Sequence, residues 1–95
     1  MATFEEIDEA RSILGLLDTA SMREIKQAYR RMSFQHHPDQ SEQGQEDEQA
    51  MKRLNWAYAT IMDYCKRYRY SFREEDIARA YPEEWNWERY VKGWF

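Results

Sequence analysis

Residues 21–39 read SMREIKQAYRRMSFQHHPD, and this stretch decides the fold. Ser21-Met22-Arg23-Glu24 has the form of a capping box, a hydroxyl residue followed three positions on by a carboxylate that reaches back to its backbone N–H. Behind it Met22, Ile25, Ala28, Tyr29 and Met32 recur at steps of three and four, which makes one apolar stripe on a helix. Arg23, Lys26, Gln27, Arg30 and Arg31 occupy the opposite side. Pro38 ends the helix, because its ring pushes His37 out of the helical region. From Asp39 to about Gly44 the chain is polar throughout and reads as a loop.

Outward from that stretch the pattern stays helical. From Gln45 to Met62 a second long amphipathic segment carries Met51, Leu54, Ala57, Tyr58 and Ile61 on one face. Two long helices with facing stripes and a short polar loop predict an antiparallel hairpin. Upstream, Thr3-Phe4-Glu5-Glu6 is another capping box, Phe4, Ile7 and Leu14 follow at helical spacing, and Gly15 is placed to stop that helix. Downstream, Asp63 is placed to cap a short fourth helix running to about Tyr70. Ser71-Phe72-Arg73-Glu74 opens a further helix to about Ala80, and Pro82 suits the first turn of a last one, Glu83 to about Lys92. No segment alternates with period two between turn signals, so the expected class is all-α.

The 95 residues carry a net charge of −4, unevenly spread. Residues 21–40 and 51–70 are net basic, whereas residues 1–20, 41–50 and 71–95 are net acidic. That distribution suits solvated helix faces or a basic docking surface for an acidic partner, and it argues against nucleic acid. An acidic start and the lack of any apolar run near the roughly 20 residues of a bilayer span point to a cytoplasmic protein. Cys65 is the single cysteine, which excludes an internal disulfide and a cysteine-based zinc site. No metal or other cofactor is expected: His36 and His37 are adjacent, diverge on a helix and lack a third ligand. His37 with Asp39 lacks a nucleophile and an oxyanion loop, so no catalytic residue is assigned and an enzyme is not expected.

His37-Pro38-Asp39, between a basic amphipathic helix and a polar loop, resembles the loop signature of J-domains of the DnaJ family. Ile13-Leu14-Gly15-Leu16 is similar to the ending of that family's first helix, and residues 24–32 (EIKQAYRRM) to its second. Residues 52–58 (KRLNWAY) resemble its third helix, and Asp63, Lys66, Arg67 and Tyr70 its short fourth. The chain departs from the family at Ala10 and Arg11, where aromatic residues are usual, and at Gln35, His36, Gln40, Met51 and Trp56. The first three of the later changes remove positive charge or an aromatic ring beside the loop.

The resemblance implies an all-α J-domain over residues 1–71, in which the second and third helices form an antiparallel hairpin flanked by short first and fourth helices. It implies a co-chaperone that binds a DnaK-type heat-shock chaperone through the His-Pro-Asp loop and the second helix and stimulates its ATPase. The implied chaperone-binding residues are His37, Pro38, Asp39, Lys26, Tyr29, Arg30 and Arg31. Asn55 and Lys52 have a lesser part, Asn55 chiefly in bracing the loop. Asp39 offers a carboxylate to a partner arginine, Pro38 stiffens the loop, and the cations steer toward acidic surface. The Gly/Phe-rich linker and zinc module of many members have no counterpart here, so a minimal form is expected. The client is not legible. Residues 72–95 lie outside the resemblance and hold Phe72, Tyr81, Trp85, Trp87, Tyr90, Trp94 and Phe95. They are expected to fold back as a helical extension that covers Trp56. The alternative is a J-like scaffold that uses this aromatic tail to bind another protein without activating a chaperone.

Overall fold

Thr3 starts the first helix as the spacing predicts. Its hydroxyl accepts the Glu6 backbone N–H at 3.2 Å while the Glu6 carboxylate accepts the Thr3 N–H at 3.1 Å. Two donors that would otherwise lack helical partners are thereby satisfied together. The computed structural model describes residues 1–36 and 45–81, with helices α1 at Phe4–Ile13, α2 at Met22–Gln35, α3 at Gln45–Arg67 and α4 at Glu74–Arg79. Ser21 and Glu24 repeat the reciprocal cap at the start of α2, at 3.1 and 3.0 Å. Gly15 closes α1 at a φ of +69°, with its N–H on the Ser12 carbonyl and the Leu16 N–H on the Arg11 carbonyl, both at 3.0 Å. Glycine adopts that backbone without the steric cost other residues meet. Arg11 also donates to the Leu16 carbonyl at 2.7 Å and to Asp8 at 3.0 Å, so it ties the turn after α1 to the helix.

α3 is the central element, and both α1 and α2 pack on it. Ala10 and Leu14 from the α1 side, Ile25 from α2, and Leu54, Ala57 and Ile61 from α3 form one buried cluster. Tyr29, Met32, Met51, Tyr58 and Cys65 are partly buried around it. Burial raises the Cys65 thiol pKa above its ordinary value, in keeping with a small apolar residue on a helix. Tyr29 lies opposite Asn55 and Tyr58, and His36 opposite Asp47, so α2 and α3 run antiparallel. The described residues hold four helices and no strand, and the expected all-α architecture is borne out. Among them no helix is long and apolar enough to cross a membrane.

Three expectations are corrected. Asp63 does not open a separate fourth helix: α3 continues through it to Arg67, and the Asp63 carboxylate pairs with Arg67 one turn on at 3.0 Å. Nothing between Gln45 and Arg67 is Gly or Pro, and that pair favours continuation. The cap predicted at Ser71 moves to Arg73, which makes no side-chain cap bond. The Ser71 hydroxyl instead donates to Asp76 and accepts the Arg73 N–H, while Glu74, Glu75 and Asp76 fill the first turn of α4. Phe4, on the expected stripe, is 75% exposed, whereas Ala10 is fully buried. Phe4 is the first residue of α1, so its ring lies at the end of the interface that Ala10 and Leu14 form. The expected last helix near Glu83 to Lys92 lies outside the described residues. α4 buries none of its own residues.

Candidate functional site

The outer face of α2 follows from its inner one. Ile25 and Ala28 are buried and Met32 is half-buried, which turns Arg23, Lys26, Gln27, Arg30 and Arg31 to the exposed side. Elsewhere Arg11, Arg53, Arg67 and Arg79 each stand 3.0 to 3.9 Å from a carboxylate. Among the described residues no ion pair involves Arg23, Lys26, Arg30 or Arg31. α2 therefore presents unneutralised positive charge, which sets up an attractive potential for an acidic surface. The Ser21 backbone N–H first, and its hydroxyl second, hold the Glu24 carboxyl below its ordinary value, so the one acid of this helix stays ionised as the cap requires.

Tyr29 is at the edge between the core and this face. Its ring stacks on Tyr58 with centroids 4.2 Å apart, and its hydroxyl donates to the Asn55 side-chain carbonyl at 2.7 Å. Tyr29 and Asn55 are thus brought together as a cross-link of the hairpin. Lys52 is exposed on α3, one turn before Asn55. His37, Pro38 and Asp39 lie outside the described residues, directly after the end of α2.

Two features were not read from the sequence. Phe34 is 68% exposed, one turn beyond Arg30 on the basic side of α2 and three residues before His37. Its spacing from Arg30, i to i+4, was the available signal that it leaves the apolar stripe. The second is Asp47, which is 8% exposed and lies 3.3 Å from the Nδ1 of His36. Only the pairing of helix ends reveals it. Among the described residues no group of three or more His, Cys, Asp or Glu side chains is arranged to hold a metal ion.

A family model described as the DnaJ domain matches residues 9–71. The chain belongs to the DnaJ-domain family. The match starts inside α1, takes in α2 and α3 and ends before α4, so α4 and the residues after it lie beyond the family unit. The DnaJ domain is 45% identical over 58 residues to the chaperone protein DnaJ of Wolinella succinogenes. It is 43% identical over 58 residues to that of Caldicellulosiruptor saccharolyticus and 40% identical over 57 residues to protein NolC of Rhizobium fredii. These alignments cover 60–61% of this chain but only 14–16% of the relatives. The chain thus corresponds to a small part of each of them. No solved structure gives a significant match.

Proposed function

We propose that this DnaJ domain is a non-enzymatic co-chaperone that binds a DnaK-type chaperone and stimulates its ATP hydrolysis. The observation that carries the reading is the cationic, unpaired face of α2, which leads directly into His37-Pro38-Asp39. Lys26, Arg30 and Arg31 steer toward acidic surface on the ATPase domain, Tyr29 contributes at the edge, and Phe34 supplies an apolar anchor beside the charges. Asp39 makes a charge-assisted pair with a partner cation, and Pro38 limits the entropy that the loop loses on docking. The domain breaks no bond itself. It binds one conformational state of the chaperone better than another and so shifts that equilibrium.

The deciding experiment is single-turnover ATP hydrolysis by the host's own DnaK-type chaperones with wild-type protein and with Asp39→Asn. The substitution should keep helical circular dichroism and the melting temperature within the small range typical of surface changes. Stimulation should nearly vanish. A variant that stimulates normally sinks the reading.

The helical extension expected over residues 72–95 to cover Trp56, which is 38% exposed on α3, rests mainly on residues 82–95, and these lie outside the described residues. Their removal leaves Trp56 as the only tryptophan. It should then become more accessible to a soluble quencher than in a full chain whose other three tryptophans are changed to Phe. Equal quenching in the two proteins places the tail elsewhere.

A further inference from the structure

The described residues bury a single charged side chain, Asp47, and it lies in the first turn of α3. The Nδ1 of His36 is 3.3 Å from one of its carboxylate oxygens. His36 is the C-cap of α2, fixed there by its own backbone N–H on the Met32 carbonyl at 3.1 Å. The two side chains therefore join the end of α2 to the beginning of α3. Residues 37–44 run between these two points.

Stability alone does not account for a carboxylate in that position. A buried charge carries a desolvation cost that a well-packed apolar side chain avoids, and an exchange to apolar residues is often neutral or stabilising. What a buried polar pair supplies instead is direction, because a hydrogen bond is satisfied in one register and not in its neighbours. The site also suits the pair electrostatically. No basic residue stands in the last turn of α2, which leaves the imidazole as a donor near the carbonyl end, and Asp47 stands where a carboxylate is favoured. The next cross-helix hydrogen bond, Tyr29 to Asn55, lies about two helical turns back along α2.

We propose that His36 and Asp47 form a clasp that closes the loop end of the hairpin and positions His37-Pro38-Asp39 for docking, an inference that rests on the chaperone-binding reading above. Both are positioning residues, since neither has to touch the chaperone. The clasp fixes the end of α2 against the beginning of α3 before any docking, so it acts on the concentration needed rather than on the maximal effect.

The test uses the full chain with His36→Ala, Asp47→Ala and the double variant. In titrations of chaperone ATPase, each single variant should raise the half-maximal concentration about threefold to tenfold, with maximal stimulation kept. The double variant should be no worse than either single one, as expected for residues coupled by direct contact. Asp47→Asn keeps an acceptor oxygen and should recover most of the loss. Wild-type titration curves from both single variants, or losses that simply add in the double variant, overturn the clasp. Amide hydrogen exchange reads it without any chaperone. Exchange should quicken at residues 33–36 and 45–50 in the single variants and stay unchanged at residues 54–61. Unchanged exchange at the helix ends refutes the clasp, as does quickening throughout α3, which marks a general loss of stability. If wild-type protein leaves the ATPase untouched, the co-chaperone reading fails, and exchange still decides whether the clasp exists.

Discussion

The two ends of the helical core are held by different chemistry. Around α1, the contacts of α3 are aliphatic: Ala10, Leu14, Leu54, Ala57 and Ile61 are buried together, with Ile25 of α2 alongside. Toward the loop, the links between α2 and α3 include the Tyr29–Tyr58 stack, the Tyr29–Asn55 hydrogen bond and the His36–Asp47 pair. Apolar burial is non-directional and scales with area, so it supplies stability without fixing register closely. Hydrogen bonds add less net free energy but tolerate only narrow geometry. The contrast suggests that the aliphatic end keeps the domain folded, while the polar end sets how α2 and the segment after it are presented.

The largest test of that contrast is Leu54→Ala. The side chain is 2% exposed in the middle of the cluster. Its truncation should cost about 2–5 kcal/mol in urea unfolding through lost burial and a residual cavity. A cost well under about 1 kcal/mol would mean that the aliphatic end is not the main source of stability.

Tyr29→Phe sharpens the other side. It keeps the ring on Tyr58 and removes only the bond to Asn55, so a loss of about 0.5–1.5 kcal/mol is expected. Chaperone stimulation measured beside it should fall more than the melting temperature alone suggests. A stability loss matching that of Leu54→Ala would erase the difference between the two ends.

A smaller effect is expected at the cap of α2. The Glu24 carboxyl titrates below its ordinary 4.5 in the folded chain because of its bonds with Ser21. A lowered folded pKa contributes stability that is present above the unfolded value and is lost as pH falls through the folded one. The melting temperatures of wild type and Glu24→Ala should therefore differ near neutrality and converge as pH drops below about 4.5. A gap independent of pH would show that the carboxylate is not what stabilises the cap.

The smallest change in stability belongs to the outer face of α2. Arg30→Glu combined with Arg31→Glu should alter unfolding by no more than about 0.5 kcal/mol per site. Association with the chaperone should slow, and its dependence on salt should flatten. An unchanged salt slope would make these arginines an ordinary solvated face.

The caps at Thr3 and Ser21, the turn at Gly15 and the stripes of α2 and α3 were legible in the sequence. Each depends on residues three or four apart, and such neighbours meet in any helix whatever it packs against. The family signature was legible for the same reason, being a short run of side chains in a fixed local order. Asp63 was misread because an aspartate serves equally as a cap or as the partner of a cation one turn on. Its bond with Arg67 decided for the second.

What the sequence by itself determined, then, is the helices, most of their inward faces and the basic exterior of α2. Tertiary structure decided the exposure of Phe4, the burial of Asp47 and the partner of the Tyr29 hydroxyl. It also decided that His36 and Asp47 meet. These outcomes depend on where one helix ends against another. Phe4 falls at the rim of the contact with α3, and Asp47 is enclosed because the end of α2 arrives beside it. Periodicity fixes the direction in which a side chain points around its own helix, but burial and polar partners depend on the position and register of the neighbouring helix.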